Sequence, residues 1–267
     1  MTTAESQHVG RHIFGADAAG YASARPHYPE SLYAALAAEG ALVPGADVFE
    51  IGPGTGQASR RLLAADVGSL TLVEPDPVLA DALVGLAGNV RVVNAPLEDA
   101  GLGASAFDLG VAATSFHWVD SARGLPMVHD LLRPGGVWAM WWNVLHDPED
   151  DLFSRAVLPL LKDAELPPSL RGPEQRHYSL WTEDRLAELR AAGFAHAEHQ
   201  MHEMAVRMTA AEMRALYATF SMVRRMAPQM RARVLDGIEA VGEQGFGGVI
   251  DRRFRVPLFI ARKARQA

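Results

Sequence analysis

The sequence contains no cysteine. That absence excludes disulfide bonds, zinc sites built on thiolates and cysteine nucleophiles, and it favours a reducing cytoplasm. The first ten residues have no apolar stretch of the kind that a secretory signal needs. The longest apolar runs, such as Val137–Leu145, are also far shorter than the ~20 residues that cross a bilayer. We therefore expect a soluble, cytoplasmic protein without a membrane span.

Positive charge is in short supply. The chain has 25 Lys and Arg residues against 32 Asp and Glu residues, a formal net charge of −7. Such a chain repels nucleic-acid phosphate unless its basic residues share one face. The candidates for such a face have no aromatic residues interleaved at a suitable spacing, and we interpret them as solvated helix and strand faces: Arg224, Arg225, Arg231, Arg233, Arg252, Arg253 and Arg255. We expect no nucleic-acid partner, and a monomer or homodimer.

Apolar runs of strand length alternate with segments of helix length between about residues 46 and 143. This alternation is typical of βαβ units in a parallel sheet, and 49% hydrophobic residues are enough for a large core. The runs lack a strict apolar–polar alternation, which indicates strands covered on both faces. The predicted strands are Asp47–Ile51, Leu70–Glu74, Val90–Asn94, Asp108–Ala113 and Val137–Trp142.

The whole chain is predicted to be one domain. Its parts are an N-terminal arm and helix (1–45), a cofactor-binding core (46–145), a helical cover with a later strand and helices (146–250), and a C-terminal strand (251–267). Apolar patterns, together with capping and turn residues for some helices, predict the elements outside the five core strands. These are helices at Pro29–Gly40, Asp76–Leu86, Thr182–Ala192, Thr209–Arg225 and Pro228–Glu243, a helix from Asp120 or Ser121 to a turn at Arg133–Gly136, and strands within Phe194–Met208 and Phe254–Ala261.

A glycine-rich turn joins the first predicted strand to the following helix. Gly52 and Gly54 permit backbone angles barred to other residues and let a ligand approach the main chain, while Gly56 allows close helix-on-strand packing. Amide groups at a helix start also hold anionic ligand groups. The predicted cofactor contacts of this turn are Glu50, Gly52, Pro53, Gly54, Thr55, Gly56 and Gln57.

A carboxylate accompanies the turn. Glu74 ends the second predicted strand 24 positions after Glu50, near the offset of roughly twenty residues at which an acid binds ribose hydroxyls. The glycine spacing departs from Gly-x-Gly-x-x-Gly, the pattern of dinucleotide sites. The charge of Glu50 also suits a ligand with an ammonium and a sulfonium better than one with two phosphates. An NAD-dependent oxidoreductase stays as an alternative.

Four segments together resemble class I S-adenosylmethionine-dependent methyltransferases: Glu50–Gln57, Val73–Pro77, Phe107–Leu109 and Leu132–Gly136. Within that group the chain resembles the small-molecule branch (methyltransferase type 11) that includes trans-aconitate methyltransferase-like proteins. The N-terminal arm supports this through Phe14-Gly15, Tyr21, Arg25-Pro26 and Tyr28-Pro29, as does Ser115-Phe116-His117-Trp118 after the fourth strand.

The resemblance implies a Rossmann-like α/β sheet of seven strands, the last antiparallel, under a helical lid. It also implies S-adenosyl-L-methionine as methyl donor and S-adenosyl-L-homocysteine as product. The methionine part would contact the three glycines, and the ribose would contact Glu74. Further contacts carried over are Pro75, Asp76, Pro96, Leu97 and Glu98 near adenine, Thr114 and Ser115 near the methyl group, and Tyr21 and Arg25 closing over the pocket. Asn94-Ala95-Pro96 departs from the family pattern.

On the substrate side, His117 and Trp118 follow a parallel strand at the end where open α/β sheets bind ligands. His117 is the candidate catalytic residue, and Trp118 offers an indole N–H or a ring wall. In resembling enzymes such a His-Trp pair accompanies carboxyl methylation. Further substrate-binding candidates are Tyr28, Asn143 and Tyr217, the last within an apolar stripe with Phe220, Met222 and Met226 that we interpret as lid lining.

A metal site is not expected. His196, His199 and His202 lie on a predicted strand, where alternating faces prevent them from converging. The predicted function is therefore methyl transfer from S-adenosylmethionine to a small molecule. The resemblance favours an oxygen acceptor such as a carboxylate, which would need no general base. The alternative within the same fold is a non-methylating reaction such as cyclisation.

Overall fold

The computed structural model describes residues 20, 23–145, 151–167, 169–171 and 176–265, with no side-chain description for residue 171. Tyr21 and the arm before residue 20 lie outside these residues. The strands are β1 Asp47–Ile51, β2 Ser69–Val73, β3 Val90–Val93, β4 Phe107–Ala113, β5 Leu132–Trp141, β6 Val144–Leu145, β7 Leu170–Arg171, β8 Arg176–His177, β9 His196–Thr209 and β10 Val249–Arg262. The α-helices are α1 Glu30–Ala38, α2 Gln57–Leu63, α3 Pro77–Leu83, α4 Ser121–Leu131, α5 Leu152–Val157, α6 Thr182–Ala191, α7 Ala210–Ala218, α8 Ser221–Arg224 and α9 Pro228–Phe246.

The main sheet has the strand order β3-β2-β1-β4-β5-β10, with β9 paired to the other side of β10. The first five strands are parallel, and β10 runs antiparallel to β5. The predicted α/β sheet of seven strands with an antiparallel last strand is thus confirmed. The two-residue β6 is an eighth strand, which continues beside β10 where β5 ends.

Local sequence explains where the helices begin and end. Asp76 accepts hydrogen bonds from the amides of Val78 and Leu79, and Pro77 occupies the first position of α3. Asp120 caps α4 in the same way. α7 begins with a capping box between Thr209 and Glu212. The first two starts confirm the predictions made from capping residues, and the third agrees with the helix start predicted at Thr209.

Two apolar cores lie on opposite faces of the sheet. Successive residues at the end of β5 face opposite sides of the sheet. Trp141 therefore packs in one core, whereas Trp138 and Trp142, the residue after β5, pack in the other. The first core joins α1, α2 and α3 to the inserted helices α7 and α9, and the second joins α4 and α6 to the sheet. No helix in the described part of the chain has both the length and the apolar composition that a membrane crossing requires.

Two sequence predictions about element boundaries are wrong. The segment Arg133–Gly136, predicted as a turn, lies inside β5, where β5 gains extra residues relative to β4 between the pairs Phe107–Leu132 and Leu109–Val137. Arg133 stays in the sheet because its guanidinium bonds Asp47 at 2.8 Å and Asp108 at 2.6 Å. The single helix predicted over Thr209–Arg225 is two helices, α7 and α8.

The interpretation of Arg252 as a solvated side chain is also wrong. Arg252 is completely buried, whereas its neighbour Arg253 is exposed as predicted. Arg252 donates to the Asp151 carboxylate and, at 3.0 Å, to Ser154 Oγ at the start of α5. This ion pair attaches the helical cover to β10. Of the remaining arginines in the predicted group, Arg224, Arg225, Arg231 and Arg255 are half-buried and Arg233 is exposed.

Candidate active site

A cavity of about 720 Å³ opens at the carboxyl ends of the parallel strands, beneath the helical cover. A smaller compartment of about 60 Å³ lies next to it and shares Arg25, Gly52, Gly54, Thr114 and Asn143 with its lining. Open α/β sheets bind ligands at this end of their strands. Strand ends therefore bring together residues that are far apart in the sequence.

The glycine turn after β1 adopts the left-handed backbone that its sequence predicts. Gly52, Gly54 and Gly56 have φ values of 62°, 58° and 78°. A Cβ atom on Gly52 would lie 2.6 Å from Ser115 Cβ, whereas one on Gly54 would meet no atom within 4 Å. A Cβ on Gly56 would lie 2.9 Å from Leu83, so this glycine allows the close approach of α3. Gly54 thus leaves open backbone beside the cavity.

Glu74 is held against this turn by two backbone amides. Gly54 N donates to Oε2 and Asp76 N donates to Oε1, each at 3.0 Å. The side chain is 4% exposed, and burial raises the pKa of Glu74 to about 7 against the lowering effect of the two amides. The sequence prediction that Glu74 faces the glycine turn is consistent with this position.

Two buried oxygen atoms of the smaller compartment have no hydrogen-bond partner among the described residues: Glu50 Oε1 and Asn143 Oδ1. The other carboxylate oxygen of Glu50 accepts from Ser59 Oγ at 2.6 Å. The pKa of Glu50 is raised to about 7, mainly by burial and to a lesser extent by the nearby Glu74, against the lowering effect of the Ser59 hydrogen bond. Asn143 Nδ2 donates to Pro26 O at 3.1 Å, which fixes its Oδ1 as the remaining acceptor.

Thr114 has a strained backbone at the end of β4. Its φ of 57° is in the left-handed region, which a β-branched residue adopts only when its surroundings enforce it. The surroundings here are hydrogen bonds: Thr114 N donates to Trp141 O at 2.7 Å, and Tyr28 Oη donates to Thr114 Oγ1 at 2.9 Å. The next residue, Ser115, donates from Oγ to Ile51 O at 2.5 Å. Thr114 and Ser115 both line the large cavity.

His117 lines the cavity in a defined tautomer. Trp142 Nε1, which can only donate, lies 3.1 Å from His117 Nδ1. Nδ1 is therefore the acceptor, and the neutral ring has its proton on Nε2. This arrangement favours a hydrogen-bond donor, rather than a general base, as the role of His117, the candidate catalytic residue. Trp118, predicted beside it, also lines the cavity.

The arm before α1 contacts the cover across the cavity. Arg25 Nε donates to Thr219 Oγ1 at 2.8 Å, and its guanidinium lies 4.9 Å from the centre of the Phe220 ring. Gln57 Nε2 donates to Arg25 O at 2.9 Å, which connects the arm to the glycine turn. Tyr217, Phe220 and Met222 line the cavity, as the lid prediction requires, whereas Met226 packs against the apolar core.

Most of the predicted site residues that the structure describes converge on the two cavities, and Gly56, Asp76 and Glu98 do not. Pro75, Pro96 and Leu97 line the large cavity, and Tyr28, Pro53, Thr55 and Gln57 line the smaller compartment. Asp76 instead caps α3 and lines neither cavity, and Glu98 is a half-buried residue outside both linings. Tyr21 lies outside the described residues.

Sequence reasoning missed the wall formed by β7, β8 and part of β10. His177 and Arg176 on β8 and Arg255 on β10 line the cavity. Burial lowers the pKa of His177 to about 3, so its ring is neutral. Two-residue strands carry no detectable apolar period, and nothing in the sequence places them against the end of β4. Of these three residues, only Arg255 belongs to a group identified in the sequence, the arginines towards the C-terminus.

The histidines of β9 face in different directions, as their odd spacing predicts. His199 packs on Phe259 with ring centres 4.8 Å apart, in contact with one core. His202 Nδ1 is 2.9 Å from Ser31 Oγ on α1, at the other face. In the described ranges, no three His, Cys, Asp or Glu side chains cluster in a way that would hold a metal ion.

Known proteins share both the sequence and the fold of this core. Residues 49–140 match the family model described as a methyltransferase domain. An uncharacterized methyltransferase of Mycobacterium tuberculosis is 33% identical over 139 residues, which are 49% of this chain and 51% of the relative. Residues 49–140 therefore have the sequence pattern of a methyltransferase domain. The chain spans about half the length of the curated relatives it matches.

Solved structures extend the likeness of the methyltransferase domain to most of the chain. Phosphoethanolamine N-methyltransferase 2 of Haemonchus contortus, in complex with S-adenosyl-L-methionine, has a TM-score of 0.55 at 14% identity, covering 94% of this chain and 57% of that one. The [4+2]-cyclase SpnF has a TM-score of 0.53 at 16% identity, covering 91% and 84%. At such identities the likeness concerns the fold alone, and it confirms the predicted class I methyltransferase fold.

Proposed function

We propose that the protein binds S-adenosylmethionine in this site and transfers its methyl group to a small-molecule acceptor, with a carboxylate oxygen as the favoured acceptor atom. The observation that supports this most is the pair of unpartnered oxygens, Glu50 Oε1 and Asn143 Oδ1, in the compartment behind the glycine turn. A buried polar atom without a partner costs about 1–3 kcal/mol. A ligand ammonium group would satisfy both acceptors, and the phosphates of a dinucleotide would not.

The neighbouring part of the large cavity fits an adenosine. Glu74 lies at the end of β2 beside the open backbone of Gly54, where its carboxylate would accept hydrogen bonds from two ribose hydroxyls. Apolar side chains beyond it provide walls for a flat base: Leu79, Pro96 and Leu97. The ammonium, ribose and base positions then follow one continuous path along the strand ends.

Once bound, the donor supplies a methyl carbon activated by positively charged sulfur. The tasks left to the protein are to align an acceptor with that carbon and to exclude water. Correct placement can contribute on the order of 7–11 kcal/mol without any acid–base step. Arg25, which contacts Thr219 and Phe220 above the cavity, holds arm and cover together for this purpose.

Charge and proton positions favour an anionic oxygen acceptor. Arg25, Arg176 and Arg255 line the cavity, and its acidic lining is limited to Glu74 among the described residues. A carboxylate is already ionised at neutral pH and needs no base. His117 is poorly suited to be a base, because its Nδ1 already accepts from Trp142. Apolar side chains of the cover, including Phe220 and Met222, suit an acceptor with an apolar body.

The test is a transfer assay with methyl-labelled S-adenosylmethionine and a panel of carboxylic acids, alcohols and amines with matched apolar bodies. We expect label in the acids, and we expect mild alkali to release it as methanol, because esters hydrolyse whereas methyl ethers and methylamines do not. Label confined to amines or alcohols would overturn the carboxylate assignment.

The fold shared with a cyclase supports one alternative, a reaction without methyl transfer. It predicts that the donor binds but that no S-adenosylhomocysteine forms with any acceptor. An NAD-dependent oxidoreductase predicts binding of NAD instead. The single-domain organisation, the absence of a nucleic-acid partner, the monomer or homodimer and the cytoplasmic location stay predictions.

A further inference from the structure

We infer that His117 and His177 form a two-imidazole binding site for the acceptor's carboxylate, each ring donating a hydrogen bond from a neutral Nε2–H. This inference rests on the proposed methyl transfer and names the residues that would select an anionic acceptor. His117 follows β4, and His177 ends β8, so distant parts of the chain supply the two rings.

The two rings are neighbours in the wall of the large cavity. Their centres are 6.2 Å apart, and their planes are inclined by 69°. Ser115, which touches the glycine turn, precedes His117 by two residues. A group bound by both imidazoles would therefore lie next to the end of the cavity where the methyl donor is proposed to bind.

Fixed donors set the tautomer of both rings. Trp142 Nε1 donates to His117 Nδ1 at 3.1 Å, and the backbone amide of Ser179 donates to His177 Nδ1 at 3.2 Å. The Ser179 hydroxyl, which can also donate, lies 2.8 Å from the same nitrogen of His177. Neither an indole nor a backbone N–H can accept a hydrogen bond. Each Nδ1 is consequently an acceptor, and each neutral imidazole must have its hydrogen on Nε2. Trp142 and Ser179 act as positioning residues.

Burial keeps His177 neutral. The pKa of His177 is lowered to about 3 because its ring is removed from water, so it does not become a cation near pH 7. A neutral N–H donor holds a carboxylate through a charge-assisted hydrogen bond, and it leaves the anion's charge less neutralised than an ion pair would. An oxygen that must attack the methyl carbon benefits from this difference. Arg176, the preceding residue, lines the same cavity and supplies a favourable charge nearby.

The first test needs neither acceptor nor activity. Long-range ¹H–¹⁵N correlation spectra of the imidazole nitrogens, assigned with His117→Gln and His177→Gln variants, report the tautomer of each ring. We expect both histidines as Nε2–H tautomers at pH 7.5. An Nδ1–H or doubly protonated His177 would overturn the inference.

The second test measures binding of benzoate by calorimetry with S-adenosylhomocysteine at saturation, with benzamide as the neutral control. His177→Leu removes the donor, whereas His177→Gln places an amide nitrogen near the position of Nε2. We expect benzoate to bind at least about tenfold more weakly to His177→Leu, the factor for one hydrogen bond to a charged group, and His177→Gln to restore most of the affinity.

Equal binding of benzoate and benzamide, no binding of benzoate to the wild type, or no effect of His177→Leu in a folded protein would overturn the site. The two proposals fail separately. If S-adenosylhomocysteine does not bind, the proposed function is wrong and the imidazole spectra still decide the tautomers. If the donor binds and label goes to a neutral acceptor, methyl transfer stands and the carboxylate site is wrong.

Discussion

Arg25 and Thr219 are 194 positions apart in the sequence and are joined by a hydrogen bond of 2.8 Å between Nε and Oγ1. The bond runs from the arm before α1 to the turn after α7, and the Arg25 backbone carbonyl also accepts from Gln57 at the glycine turn. The arm, the glycine turn and the cover therefore meet at one residue, Arg25.

Arg25→Ala should weaken binding of S-adenosylhomocysteine by about three- to tenfold, because a hydrogen bond and a cation–π contact over the cavity are lost together. Thr219→Val should produce a smaller loss in the same direction. Calorimetric titration measures both. Arg61→Ala is the control, since Arg61 pairs with Glu30 at the surface away from the cavity. Equal affinities in all four proteins would show that the arm does not close the site.

Substitutions at three glycines with similar backbone angles can distinguish the effect of backbone strain from the effect of lost ligand contact. Gly40, Gly52 and Gly54 all have φ between 58° and 66°. An added Cβ would clash with Ser115 at Gly52, whereas it would meet no atom within 4 Å at Gly40 or Gly54. Of the latter two, Gly54 lines the cavity. Alanine at each position should lower the melting temperature, because its backbone would be strained by about 1 kcal/mol in the left-handed region. At Gly52 the clash with Ser115 should lower the melting temperature further. The affinity for S-adenosylmethionine should fall sharply in Gly52→Ala and Gly54→Ala and should be unchanged in Gly40→Ala. Normal affinity in Gly54→Ala would place the ligand elsewhere.

The buried carboxyls predict a pH dependence. Burial raises the pKa of Glu50 and of Glu74 from the usual 4.5 to about 7. The ligand-free fold therefore binds protons that the unfolded chain has released, so the stability that these groups contribute is present below pH 4.5 and is lost as the pH rises through about 7. An ammonium ligand favours the ionised form, and affinity for S-adenosylhomocysteine should rise between pH 5.5 and 7.5 by up to about tenfold per unit for each group.

Glu50→Gln is the matched variant for this dependence. Its amide cannot ionise, so the pH slope of the affinity should fall while the melting temperature of the ligand-free protein at pH 8 should rise or stay unchanged. Titrations at four pH values, corrected for the ligand's own ionisation, measure the slope. A slope identical to that of the wild type would exclude Glu50 as the ammonium partner.

Two Arg–Asp pairs that each have one member on β10 should differ in their contribution to stability. Arg252 is completely buried against Asp151, whereas the Arg207–Asp251 pair at the edge is exposed. Arg252→Ala leaves Asp151 without its partner and should destabilise the fold by about 3–5 kcal/mol. Arg207→Ala should leave the melting temperature unchanged within error. Chemical denaturation of both variants checks this, and similar midpoints would contradict the role of Arg252 in attaching the cover.

The sequence was sufficient for the parts of the site that have a local signal. The glycines of the turn and the strand preceding Glu74 can each be recognised in the sequence, because backbone angles and apolar runs are local properties. No local sequence pattern indicates the burial of Arg252 or the position of His177. Both depend on which distant side chains face them, Asp151 for the first and the end of β4 for the second. The same limitation explains Arg133, whose two aspartate partners keep it in β5.

The most direct measurement is a calorimetric titration of S-adenosylmethionine, and separately of NAD, into the wild-type protein and Glu74→Ala. The account predicts one molecule of S-adenosylmethionine bound per chain, no heat with NAD, and an affinity at least about tenfold lower in the variant, since a charged hydrogen-bond acceptor is lost. Binding of NAD alone, or equal affinity of both proteins for S-adenosylmethionine, would contradict it.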